Sequence, residues 1–309
     1  MKKSLLGALL LVLALTLCAC GSVSYSYANA SQYTAGGKVI TNPVDSLEID
    51  WIDGSVTVAY HKESTVEISE TAKNTLSDAE KLHWWLDGTT LHIKYARSEA
   101  TITGNPQKAL TVTLPENAKF PINSVEIAAV SGSIRCVPLY AKTVKLSTVS
   151  GSINAECAAD TLKASTVSGK ITLTSSANEI RLSTTSGSME ADIGHAKALD
   201  ISAISGKIRL NATEIKKAEI DSVSGSVEAA LQKAESLKVS TVSGSVYLFL
   251  PKSMGFTADF STVSGSLSNA ISAVRTGNRC VLGDGIAVIN VSTVSGGLTL
   301  AAYQEKQTL

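Results

Sequence analysis

The 309-residue chain balances 27 Lys and Arg against 27 Asp and Glu, and it is 44% hydrophobic but only 5% aromatic. A chain with no clustered cationic excess does not suit a phosphate backbone, so a nucleic-acid partner is excluded. Cys136, Cys157 and Cys280 form an odd set without paired spacing, which excludes a disulfide framework or a CxxC metal site; Cys136 and Cys157 read as small buried apolar residues.

In chain order, the first element is a targeting segment. Lys2 and Lys3 precede an apolar run from Leu5 to Leu17, broken only by Gly7 and Thr16. At about 13 residues it is too short to cross about 30 Å of hydrocarbon as a helix. It ends in Leu17-Cys18-Ala19-Cys20-Gly21, which resembles a bacterial lipobox. Small Ala19 before Cys20 suits lipid attachment there, whereas bulky Leu17 before Cys18 does not. Residues 1–19 are thus expected to be removed, with Cys20 lipidated and the protein held on the cell membrane facing outside the cytoplasm. The mature chain of 290 residues would carry a net charge of −2. Residues 20–38, rich in Ser, Tyr, Ala and Gly, read as a flexible tether.

Residues 39–123 read as a first coil followed by an inserted cap. Leu47, Ile49, Ile52, Val56 and Val58 surround Gly54 in a pattern that recurs downstream. Trp84-Trp85 precede Asp87-Gly88, a hairpin turn signal, and Leu91, Ile93 and Tyr95 alternate beyond it. Such a cap would cover the open strand edge of a stack. Leu110, Val112 and Leu114-Pro115 echo Val246, Leu248 and Leu250-Pro251.

From residue 124 to 301 the repeat is regular. Val-Ser-Gly-Ser-Ile and its variants place glycine at 132, 151, 169, 187, 206, 225, 244, 265 and 296, at spacings of 19, 18, 18, 19, 19, 19, 21 and 31. Relative to that glycine, positions −7, −5, −2, +2 and +4 are almost always apolar, as in Leu237, Val239, Val242, Val246 and Leu248. Steps of two signify strands. The step of three between −5 and −2 predicts a bend or bulge, with the Thr and Ser columns at that bend, and Ser-Gly predicts a second tight corner. A unit this small cannot bury its own apolar face, so the units must stack. The expected fold is all-β: a single parallel β-solenoid of about nine or ten coils, with an N-terminal hairpin-containing cap. The loop Arg275–Gly285 is expected to cap or bulge the far end, and residues 302–309 form a tail.

Repeated Thr-Val-Ser-Gly-Ser, Ile49-Asp50-Trp51 before Gly54-Ser55-Val56, and Gly283-Asp284-Gly285 before Val294-Ser295-Gly296 resemble the bacterial putative-adhesin family. The resemblance spans nearly the whole mature chain. It implies a β-solenoid surface domain of unknown molecular function, similar to Lia-type proteins of envelope-stress responses, and it transfers no catalytic residue.

No GxSxG, HExxH, P-loop, paired-cysteine zinc or calcium-nonapeptide motif is present. His61, His83, His92 and His195 are scattered, three of them in or beside the cap. One outward column, six residues before each glycine, reads Glu126, Lys145, Lys163, Arg181, Asp200, Glu219, Lys238 and Asp259, with Asp221 near Asp200 and Glu219. Three carboxylates could bind Ca²⁺ or glycan, or serve a polysaccharide hydrolase or lyase. Alternating charge equally describes an ion-pair ladder. The expected function is a non-enzymatic adhesin-like or envelope-stress module without cofactor or metal, acting on a cell-wall, envelope or surface-protein partner; the alternative is a glycan-active β-helix enzyme. A deep groove beside the column would favour the enzyme, and a flat sheet would oppose it.

Overall fold

The computed structural model describes residues 24–101, 107–116 and 122–303. Cys20 lies outside them. The repeat folds as the expected parallel β-solenoid. Long strands such as Ile208–Ser224 and Val227–Ser243 each run from one glycine corner to the next. They stack in parallel register with their neighbours, one coil above another.

One buried column gives the order of the stack. Ile93, Ile49, Ile127, Leu146, Ala164, Leu182, Ile201, Ile220, Val239, Val291 and Phe260 lie in successive register. All eleven are buried. The column on the other side of the corner runs Leu110, Val56, Ile134, Ile153, Ile171, Met189, Ile208, Val227, Val246, Leu298 and Leu267. Both columns depart from chain order at both ends. Thr90–Lys94 and Ala109–Pro115 stack outside Ser46–Trp51 and Ser55–His61, although they follow them in sequence. The last coil, 287–302, inserts between 236–250 and the terminal coil 256–269. Residues 59–109 are therefore only partly an insertion, because Thr90–Lys94 is itself a rung of the stack.

Antiparallel strands close each end. His83–Asp87 forms the expected hairpin with Thr90–Lys94, and Val66–Thr71 covers Ala109–Pro115. At the far end Arg279–Leu282 pairs with the start of Phe256–Ser264. These strands occupy backbone edges that would otherwise template aggregation.

The segment expected to be a tether is largely folded. Ser24–Tyr25 pairs with Ala100–Thr101, Thr34–Ala35 with His83–Trp84, and Lys38–Ile40 with Val66–Ile68. Tyr25 packs against the core and accepts a hydrogen bond from the Tyr95 backbone N–H at 3.2 Å. Composition suggested flexibility here, but aromatic burial outweighs it.

Except for Ile52, which packs against the core, the apolar residue two before the glycine stays outside it. Alternation continues without a bulge from −7 through −5 to −3, so the Thr at −3 faces inward and the Val at −2 faces out. Thr148, Thr166, Thr184, Thr241 and Thr293 are buried, whereas Ile204 is 42% exposed and Val263 84%. A methyl-bearing hydroxyl residue fits the corner of the core, which apolarity alone did not reveal.

Candidate functional site

The corner itself takes two forms from one peptide. Residues 147–152 and 240–245 are both Ser-Thr-Val-Ser-Gly-Ser. In the first, Thr148 Oγ1 accepts the Gly151 N–H at 3.1 Å and donates to the Gly132 carbonyl at 3.0 Å. Thr166 and Thr184 accept from Gly169 and Gly187 in the same way, both at 2.9 Å. In the second, the strand extends two residues further, to Ser243. The Gly244 N–H donates instead to the Ser295 carbonyl of the adjacent coil at 3.2 Å, and Thr241 Oγ1 is left buried without a partner. The change begins at Gly206, whose coil carries Ala203 in place of the capping hydroxyl. Its N–H turns to Ser224 of the next coil, and Gly225 then turns to Ser243. The glycines of these coils have φ of +134°, +145° and +152°, a region L side chains rarely adopt.

The outward column holds the expected carboxylates. Asp200 stands in register between Arg181 and Glu219, and Glu219 between Asp200 and Lys238. Asp221 lies between Ser202 and Ser240 on the same face. The structure thus brings Asp200, Glu219 and Asp221 together on the outside of a parallel sheet. Lys238 Nζ donates to Glu219 Oε1 at 2.6 Å, which holds the Glu219 carboxyl below its ordinary pKa. Partial desolvation pushes Asp200 upward; Arg181 opposes that shift, while Glu219 and Asp221 add to it. Among the described residues, no group of three or more His, Cys, Asp or Glu is placed to hold a metal. The order of the column also differs from the sequence reading, since Asn290 enters between Lys238 and Asp259, and Asp259 pairs with Arg279 at 2.6 Å.

Ion pairs recur across the outer faces. Lys145 meets Glu126 at 2.9 Å; Lys170 meets Glu190, Lys207 meets Glu228, and Lys233 meets Glu214, each at 2.6 Å. These are exposed pairs between successive coils, whose attraction water and salt largely screen. A shallow, open depression of about 470 Å³ lies elsewhere, in the cap, along Gly37–Val39 and Glu67–Ile68. No described helix is long and apolar enough to cross a membrane.

The histidines stay apart from Asp200, Glu219 and Asp221, although His92 meets Glu48, which continues the column beyond Glu126. His92 pairs with Glu48 at 3.0 Å, His61 Nε2 lies 2.6 Å from the Thr65 carbonyl, and burial lowers the pKa of His83. Cys136 and Cys157 are buried, and burial drives both thiol pKa values up, that of Cys157 to about 12. What sequence reasoning missed is a buried ion pair in the cap between Lys108 and Glu70, at 2.6 Å. Lys108 stands where the repeat calls for glycine, two residues before Leu110, which was the available signal.

Residues 44–301 match the model of a family described as Toastrack DUF4097. No curated protein matches. Among solved structures, the chain is similar to a putative adhesin from Bacteroides fragilis at 13% identity, covering 85% of this chain and 95% of that one, with a TM-score of 0.45. It is similar to a putative adhesin from Parabacteroides merdae at 15% identity, covering 70% and 96%, with a TM-score of 0.43. A putative lipid binding protein from Parabacteroides distasonis shows 14% identity, coverage of 86% and 96%, and a TM-score of 0.46.

Proposed function

Because this chain belongs to the Toastrack DUF4097 family, we propose that it is a lipid-anchored, non-enzymatic surface module whose stacked coils meet a cell-envelope component. The observation that carries this reading is the setting of Asp200, Glu219 and Asp221. They sit on the open outer face of a sheet, with Glu219 already engaged by Lys238. A hydrolase needs an acid and a base or nucleophile flanking a bound bond, in a site that restrains water. An outer sheet face on which Lys238 engages Glu219 lacks that enclosure but offers repeated contacts, one coil at a time, to an extended partner. Anchoring rests on the lipobox at Ala19-Cys20.

Two experiments test the reading. Replacing Cys20 by Ala should leave export intact and move the protein from membrane to medium; a mutant that stays membrane-bound after carbonate and high-salt washing would sink the anchor. The lipid-free body should be retained by cell-wall fractions, anionic membranes or a cationic-peptide matrix, without turning over cell-wall glycans. Release of soluble sugars at a rate proportional to protein would replace the binding module with an enzyme.

A further inference from the structure

Resting on the lipid-anchor reading, we infer that the solenoid stands on the membrane by its N-terminal cap, with a lipid surface covering that end and the coil 256–269 held farthest from it. The argument is one of reach. Folding of Ser24–Tyr25 onto Ala100–Thr101 fixes the chain to the cap only four residues after Cys20. Four residues span at most about 14 Å even when fully extended. A tether through residue 38, as composition suggested, would have let the body sit several times farther away and turn freely. From Ile93 to Phe260 the stack advances ten inter-coil steps, or about 48 Å at about 4.8 Å per step.

Charge decides between standing and lying flat. A solenoid lying on an anionic bilayer needs a one-signed basic stripe along its length. Its flanks instead alternate Lys145 with Glu126, Lys207 with Glu228 and Lys238 with Glu219 in paired rungs. At the cap, by contrast, partly exposed aromatic side chains form a continuous row. Tyr27 lies 4.8 Å from Tyr33, Tyr33 lies 5.7 Å from Trp85, and Trp85 stacks on His92. Tyr and Trp, with an apolar body and a polar tip, are the side chains that sit at headgroup depth.

The test uses the full, lipidated protein in phosphatidylglycerol–phosphatidylcholine vesicles carrying an energy-transfer acceptor on the headgroups. Donor dyes go on single cysteines introduced as Ser31→Cys in the cap or Asn278→Cys at the far end; both positions are exposed, while Cys136, Cys157 and Cys280 are buried. Transfer should be several-fold stronger from position 31 than from 278. Equal transfer from both positions, or stronger transfer from position 278, overturns the inference while vesicle flotation of the same sample leaves the anchor standing. Failure of the protein with intact Cys20 to float removes the anchor reading and the inference together.

Discussion

The carbonyl oxygen of Lys108 lies 1.9 Å from where a Cβ on Gly54 would have to sit. Lys108 therefore closes the end of the glycine column, and its side chain turns inward. Its Nζ is fully buried, pairs with Glu70 at 2.6 Å, donates to the carbonyls of Glu80 and Tyr95, and lies 5.1 Å and 4.1 Å from the ring centroids of Trp51 and Tyr95. Burial lowers the Lys108 pKa, and the Glu70 carboxylate opposes that shift. This pair joins the outermost coil to Val66–Thr71, the strand that covers it.

Removing one partner should strand the other charge in the interior. Lys108→Ala or Glu70→Ala should cost about 3–5 kcal/mol, the usual penalty for breaking a buried ion pair. Lys108→Met with Glu70→Leu should recover much of that loss. Denaturant unfolding measures both, and hydrogen exchange should place the single-mutant defect in 66–94. Single mutants within about 1 kcal/mol of wild type would show that the pair does not hold the cap.

Gly206 has coils on both sides and φ of +134°, and a Cβ there would lie 2.1 Å from the Gly187 carbonyl oxygen. Gly206→Val should destabilise by at least about 1–3 kcal/mol, the cost of such backbone strain. Ser205→Ala, which removes only a hydroxyl, should do far less. Equal melting temperatures for Gly206→Val and wild type would remove the glycine column as a structural requirement.

The two forms of the corner predict opposite outcomes for one substitution. Thr148→Val deletes an acceptor for the Gly151 N–H and a donor to Gly132, and should cost about 1–3 kcal/mol. Thr241→Val replaces a buried hydroxyl without a partner by a methyl and should be neutral or stabilising. Thermal melts of the two variants decide it, and equal losses would refute the distinction.

Replacing Asp200, Glu219 and Asp221 together by Asn or Gln should change stability modestly, because Arg181 and Lys238 remain exposed to water. Neither wild type nor triple mutant should gain melting temperature with Ca²⁺ or oligosaccharide, as a ligand of the folded state would produce. A saturable gain in wild type, absent from the mutant, would make this column a binding site.

Acid should weaken the ladders. Lys or Arg partners hold Glu190, Glu214, Glu219, Glu228 and Asp259 below their ordinary pKa values. Their stabilisation is present above the unfolded pKa, near about 4, and is lost as pH falls through the folded values. Asp200, raised by desolvation, acts in the opposite sense: its contribution is present at low pH and lost as pH rises. Five groups outweigh one, so the melting temperature should decline below about pH 4, with the decline blunted in 1 M salt. A melting temperature that rises on acidification through this range would contradict the ladder.

Much of the architecture was legible because every rung repeats the same physical requirement. Two-residue apolar steps around a recurrent glycine demand stacked parallel strands, and Asp87-Gly88 demands a hairpin. The carboxylates Asp200, Glu219 and Asp221 were placed on one outward face by the same counting. The −2 column was misjudged because a valine looks apolar wherever it points, while a threonine can turn its methyl inward and satisfy its hydroxyl on a glycine N–H.

Sequence alone determined the repeat, the strand class, the glycine corners and the alternation of charge along the outer column, since each follows from periodicity and side-chain chemistry within one coil. Only the tertiary structure decided the order of the coils at the two ends, the choice between two corners for one hexapeptide, and the burial of Lys108 with Glu70. Interchangeable rungs present the same apolar face to any neighbour, so their order depends on which backbone edge remains to be covered. A glycine N–H likewise takes whichever acceptor its neighbouring coil supplies.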